Sequence, residues 1–405
     1  MWPRVDRFDF FAQSDDSEIA LGIALDDSNS AYICGQFNAA TISFGGLPAA
    51  VNPAGSGGLN YGGFLAKVDA MGTPQWIIAE GGIGSNEDAM QAVAVDSNYH
   101  VIVVGHHFSG TFSVAGTGGP TFAATNDGLS DPFIVKYNSL GQPIWLKDLD
   151  GAGYGEAYAV DVDSQNNIYV VGAFTGSINW DGQTATSAGD RDGFAAKFSD
   201  AGVCQWIASV GGLSTDKLSR VVSSGDGHLY AVGDFRSSDI DCGNSINLNN
   251  AEAWTNDGFI VKFNIQTGKT IWATSVAALG DNAIEDIAVD QNGNVYIAGS
   301  TGTGNTEFRD VRGVLAGSVS NSGAANGFIA KYSRMGALSW LKTFGNAASA
   351  PCVGRRLSVV NDGAVVLAAM VSGDGVNTSV VLGDGVREGD RKSTRLNSSH
   401  SKLSR

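Results

Sequence analysis

The sequence predicts an all-β fold, a β-propeller of four-stranded antiparallel blades. Three observations predict it: a strand grammar that recurs five times, glycines placed at the turns of each recurrence, and no segment with a sustained helical period. The motif Gly-Phe-x-Ala/Val-Lys starts at Gly63, Gly193, Gly258 and Gly327, with Pro132-Phe133-Ile134-Val135-Lys136 as the remaining copy, and successive copies lie 61 to 69 residues apart. Each copy leads through a glycine to a tryptophan: Gly72 to Trp76, Gly141 to Trp145, Gly202 to Trp206, Gly268 to Trp272 and Gly336 to Trp340. That is a hairpin with an aromatic residue on its second strand. A second hairpin precedes it, as in Ile287-Ala288-Val289-Asp290 followed by Val295-Tyr296-Ile297-Ala298-Gly299, where Asn292-Gly293 is expected to supply the positive φ angles of a tight turn. Two hairpins give a four-stranded unit, and stacked units of this size suit a propeller better than the shorter coils of a solenoid.

Composition agrees. Glycine is 55 of 405 residues, about twice ordinary usage, while proline is only 8, which marks regular turns rather than linker. With 43% hydrophobic and 16% charged residues the chain buries a substantial core. A net charge of −16 repels phosphate backbones, so nucleic acid is not an expected partner. The longest apolar run, Ala364 to Val371, is far short of the roughly 20 residues of a membrane helix, so no membrane span is expected. The first residues, Met1 to Asp6, lack the layout of a signal peptide, and any secretory signal is expected upstream. Cys34, Cys204, Cys242 and Cys352 are too scattered for a zinc site or a disulfide framework.

The strand grammar resembles the bacterial SBBP-type β-propeller repeat: a Val-Ala-Val-Asp strand, an Asp/Asn-Gly-Asn turn, a Tyr-Val-x-Gly strand, then Gly-Phe-Val-Ala-Lys-Tyr and a Trp. The resemblance implies an extracellular or cell-surface location and says little about chemistry. It covers roughly residues 15–389, read as a single propeller domain over 1–389. Complete units span 18–80, 88–149, 155–210, 216–276 and 282–344, with a partial unit over 355–389. Phe8 to Gln13 aligns with the last strand of a further blade, so the chain reads as a gene fragment. Residues 390–405 resemble a translated sequencing adapter. They carry five basic groups against Asp390, and are set aside from the fold as a disordered tail.

Asn264 to Trp272 also resembles the Trp-docking motif of quinoprotein propellers. Only the docking role is carried over, because the adjacent cysteine pair found in many of those proteins has no counterpart here. By the same logic Trp76, Trp145, Trp206, Trp272 and Trp340 are expected to dock neighbouring blades.

Candidate binding residues fall in two loop classes on one face. The loops between blades carry Glu87, Asp88, Glu156, Asp216 and Asp281, as well as Asp15, Asp16, Glu18 and Glu285. Radial repetition would arrange these acids as a crown suited to Ca²⁺ or a cationic partner, or they cap turns. No cofactor is otherwise expected. The excursions between second and third strands are long and differ between blades, and two of them hold Trp180 and Trp254, suited to a sugar ring or a protein surface. His106-His107 invites a metal or acid–base reading, but neighbours on a strand point to opposite faces, and an extra residue there suggests a bulge. No nucleophile elbow, zinc-protease helix or phosphate loop occurs. The expected function is therefore a non-catalytic scaffold that binds a protein or a polysaccharide. The alternative is a polysaccharide hydrolase or lyase in which Asp88 and Glu156 form the acid–base pair.

Overall fold

The computed structural model describes residues 10–11, 18–55, 60–82, 87–126, 128–149, 151, 153–252, 254–321, 325–344, 352–359, 364–373 and 376–382. The adapter-like tail, Asp15, Asp16 and most of Phe8 to Gln13 lie outside them. Every regular element among the described residues is a strand.

Each blade is an antiparallel meander whose first strand is innermost. In blade one the order is Glu18–Leu25, Ala31–Phe37, Gly62–Val68 and Pro74–Gly82; in blade two Ala89–Val95, Val101–His107, Asp131–Tyr137 and Pro143–Asp148. Blade three is built from Gly155–Val162, Ile168–Phe174, Asp192–Phe198 and Cys204–Val210. Blade four runs Asp216–Ser224, His228–Phe235, Asp257–Asn264 and Thr270–Ala277, and blade five Ala283–Val289, Val295–Thr301, Asn326–Tyr332 and Leu338–Phe344. A three-stranded sheet, Cys352–Val359, Val365–Gly373 and Val376–Leu382, follows. The first strands surround a central cavity of about 1570 Å³.

The Val-Asp turns are held by side-chain capping. Asp163 Oδ1 accepts the amides of Gln165 and Asn167 at 2.9 Å each, and its Oδ2 accepts the Tyr169 hydroxyl at 2.8 Å. Asp290 treats Asn292, Asn294 and Tyr296 in the same way. Of the Asn292-Gly293 pair only Gly293 is left-handed, at φ 75°, so this turn is a three-residue loop ending in one left-handed residue rather than a two-residue turn.

The repeated Gly-Phe-x-Ala-Lys…Trp grammar is an inter-blade latch. Lysine and tryptophan face each other across third and fourth strands, as Lys67 with Trp76 and Lys262 with Trp272. The indole N–H of Trp76 donates to the Ser139 carbonyl of the next blade at 3.4 Å, Trp145 to Asp200 at 3.3 Å, Trp206 to Ile265 and Trp272 to Arg334 at 3.2 Å. Lys67 and Lys262 donate to the same Ser139 and Arg334 carbonyls, and their ammonium groups lie over Tyr32 and Tyr230. The indoles rest on the glycine of the receiving turn. A Cβ on Gly268 would sit 2.7 Å from Trp206, so glycine is required both for φ 67° and for the contact. Trp206 and Trp272 are buried, whereas Trp76, Trp145 and Trp340 are partly so, Trp340 packing on Tyr296.

The long excursions are not free loops. Each folds into a second hairpin, such as Thr111–Val114 with Phe122–Thr125 or Ser177–Trp180 with Gln183–Thr186. Its first strand reaches the outer strand of the preceding blade: Phe112 pairs with Gly82, Phe308 with Val276, and single bridges join Ile178 to Gly151 and Asp241 to Gly211. Phe10–Phe11 pairs with Thr41–Phe44 in the corresponding place. Alternate residues of these strands, Ile42 and Phe44, Phe112 and Val114, Ile178 and Trp180, Ile240 and Cys242, are buried between blades. The excursions therefore clasp one blade to the next. In blades one, two and four an asparagine on the return path ties the clasp to its own blade, Asn52 Nδ2 to the Phe37 carbonyl at 3.2 Å, Asn126 Nδ2 to that of His107 at 3.1 Å and Asn250 Nδ2 to that of Phe235 at 3.1 Å. No helix among the described residues is long and apolar enough to cross a membrane.

Candidate functional site

The start of each first strand, the end of each second strand and the loops between blades share one face, where most candidate residues sit. The acids there do not form a uniform crown. Asp88 is fully buried: Oδ2 accepts the Gly82 amide at 2.9 Å and the Ser109 hydroxyl at 2.5 Å, and Oδ1 the amides of Phe108 and Ser109. Asp216 occupies the same place in blade four and accepts from Gly212, Arg236 and Ser237, while burial raises its pKa above the ordinary carboxylate value. Asn282 does this work in blade five, accepting the Gly302 amide at 2.9 Å. These carboxylates are spent on fixing the root of each clasp, which withdraws Asp88 from the expected acid–base pair. Glu87 and Asp281 remain exposed, Asp281 accepting the Asn256 amide at 2.8 Å, and Glu285 pairs with Arg355 at 3.1 Å.

Glu156 belongs to a different arrangement. It lies one residue further along the strand than Asp88 and Asp216 do, on the rim between blades two and three. Its oxygens accept the hydroxyls of Tyr154 and Tyr158, and one of them stands 4.0 Å from His106 Nε2. The Arg191 guanidinium lies 3.9 Å over the Tyr154 ring and donates to the Tyr158 hydroxyl at 3.4 Å. His106 is buried, and burial holds its pKa below the usual imidazole value although Glu156, Asp88 and Glu87 pull the other way. Its Nδ1 has no hydrogen-bond partner among the described residues. The arrangement is a largely neutral imidazole beside a carboxylate, and of its members Tyr158 lines the central cavity. Sequence reasoning named His106 and Glu156 separately but missed Tyr154, Tyr158 and Arg191. The alternation Tyr154, Glu156, Tyr158 on one strand was the available signal.

The expected bulge at His106-His107 is absent. Asp131 pairs with His107 and Pro132 with His106 in regular register, and the irregularity lies on the first strand, between Met90 and Ala92. The two rings diverge as adjacent strand residues do, His107 stacking on Phe112 at 5.2 Å.

The two excursion tryptophans differ. Trp180 is 2% exposed and packs edge-on to Phe194 at 5.1 Å, because it lies on the inward side of its clasp strand; it is core and not a ligand contact. Trp254 is 77% exposed and held at φ 77°, with its carbonyl accepting from the Arg236 guanidinium at 3.2 Å. A bulky residue rarely occupies that backbone region.

The fold and latch are the setting in which residues 266–305 match a family of known repeats, SBBP, described as a beta-propeller repeat. The chain carries an SBBP repeat. The matched segment runs from the turn that receives Trp206, through the Trp272 strand and the first two strands of blade five, to the start of the clasp strand Gly304–Arg309. Two curated proteins are similar at lower identity. One is an uncharacterized WD repeat-containing protein of Acanthamoeba polyphaga mimivirus, 22% identical over half of this chain and 16% of its own length. The other is the regulatory protein FlaEY of Caulobacter vibrioides, 24% identical over 45% of this chain and 19% of its own. The chain thus spans less than a fifth of these relatives. Among solved structures, quinohemoprotein alcohol dehydrogenase from Comamonas testosteroni is similar at 12% identity, covering 82% of this chain and 61% of that one, with a TM-score of 0.37. An ACO/RPE65 chimera aligns at 10% identity over 76% of this chain and 62% of that one, with a TM-score of 0.36.

Proposed function

We propose that this SBBP-repeat propeller is a non-catalytic scaffold, secreted or at the cell surface, that binds a polysaccharide or protein through the face bearing Trp254. The observation that carries the reading is Trp254 itself: a large aromatic surface left 77% exposed, on a clasp whose Asn250 is tied to Phe235 and Thr255. Rigid amphipathic anchors of this kind bind at low entropic cost. The net charge of −16 favours a neutral or basic partner over an anionic one. A glycan array and a protein pull-down with wild type and Trp254→Ala test it. Binding that falls at least tenfold in the variant, without turnover, supports the reading; equal binding by both refutes it.

A second reading, a polysaccharide hydrolase or lyase, draws on the rim cluster, with Glu156 and neutral His106 as the proton-transfer groups and Asp88 no longer among them. Release of reducing ends or unsaturated sugar by wild type, lost in Glu156→Gln, would favour it.

A further inference from the structure

We propose that His107, Asp131 and Asp148 form a site for a divalent first-row transition cation, of the Zn²⁺, Co²⁺ or Mn²⁺ type, built into blade two. One ligand atom from each lies within 4.8 Å of the others, and His107 Nε2 stands 3.2 Å from Asp148 Oδ1. Two ligands bound to one ion at roughly 2.0–2.2 Å sit about 3 Å apart, so this edge already has coordination length. Register places all three on one face: Asp131 is paired with His107, and Asp148 with Phe133, two residues along from Asp131.

The imidazole is oriented for it. His107 Nδ1 faces the Ser109 carbonyl at 3.2 Å, and a carbonyl only accepts, so Nδ1 carries the hydrogen. In the neutral ring Nε2 then presents a lone pair toward a carboxylate oxygen. A proton on Nε2 or a metal ion held between the two atoms makes that approach favourable, and the two compete for one position. A ligating histidine whose other nitrogen donates to a backbone carbonyl is the usual outer-shell arrangement of metal sites.

The repeat supplies an internal comparison. At the position of His107 the sister blades carry Phe37, Phe174, Phe235 and Thr301. At the position of Asp148 they carry Ala79, Ser209, Ser275 and Thr343. An acid at the Asp131 position recurs as Asp192 and Asp257, whereas blades one and five carry Gly62 and Asn326 there. Blade two alone among these five adds both the imidazole and the second carboxylate. The two departures from an apolar or small pair occur together, beside Phe112 and Phe133 rings stacked 4.5 Å apart. His107 and Asp131 are buried, and the Asp148 side chain, 17% exposed, gives the ion its way in. One nitrogen and two oxygen ligands suit first-row divalent ions, with remaining positions open to water.

The test uses the full chain without a purification tag, stripped with chelator and then titrated with Co²⁺. Wild type is expected to bind about one equivalent, to develop visible d–d absorption and to melt at higher temperature as the site fills. His107→Phe installs the sister-blade residue, so it retains the core, and it is expected to lose the absorption and the thermal shift. Asp148→Ser is expected to do the same and serves if the first variant folds poorly. Wild type that takes up no Co²⁺ at millimolar concentration, or His107→Phe and Asp148→Ser that bind as wild type does, would overturn the proposal and leave an imidazolium–carboxylate pair.

Discussion

Two glycines of the same backbone hand separate the tryptophan latch from ordinary turn chemistry. Gly72 and Gly268 end equivalent turns at φ 82° and 67°, but Gly268 lies under the Trp206 indole, whereas no described residue approaches a Cβ on Gly72 within 4 Å. Gly72→Ala should cost only the left-handed backbone term, about 1 kcal/mol. Gly268→Ala adds a Cβ at 2.7 Å from a buried ring. Displacing that ring should bring the total to about 2–4 kcal/mol. Trp206→Ala removes roughly 150–250 Å² of buried surface. It also orphans the Ile265 carbonyl, so about 3–5 kcal/mol is expected. In the double variant the clash is gone, and Gly268→Ala should again cost about 1 kcal/mol, a coupling of about 1–3 kcal/mol. Urea unfolding followed by far-ultraviolet circular dichroism measures all four proteins. Equal costs for the two glycines, or strict additivity with Trp206→Ala, would refute the latch.

Trp180→Ala should destabilise by about 3–5 kcal/mol, since the ring is core, while Trp254→Ala should shift stability by less than about 0.5 kcal/mol; urea midpoints distinguish them. Asp216→Ala strands the Gly212, Arg236 and Ser237 amides and should cost about 3 kcal/mol or more, with hydrogen exchange rising first in the blade-four clasp. Glu80 is buried on the outer strand of blade one and accepts the Ala115 and Gly116 amides of the next clasp; burial pushes its pKa up to about 7 despite them. A folded-state pKa above the unfolded one means the stability is complete below about pH 4.5 and is lost as pH rises through 7. Wild type should lose about 3 kcal/mol across that window relative to Glu80→Gln, measured by urea unfolding at fixed pH steps.

The sequence by itself determined the strands, their order within a blade and the tryptophan dock, because these are local or strictly repeated. Period-two alternation and a Val-Asp turn need only a few neighbouring residues, and one Gly-Phe-x-Ala-Lys strand predicts the next. It also singled out His106, Glu156 and Trp254. Tertiary structure alone decided what the excursions do. A strand such as Ser177–Trp180 shows two buried and two open positions in either setting, and only its bridge to Gly151 of the preceding blade makes Trp180 core. It decided which acids are spent, since Asp88 finds its donors on Gly82, Phe108 and Ser109 of two blades. And it assembled His107 with Asp148, 41 residues away. Such a pair has no signature in periodicity or spacing, because cross-strand neighbours are chosen by hydrogen-bond register, and register is fixed by how the whole blade packs against the next.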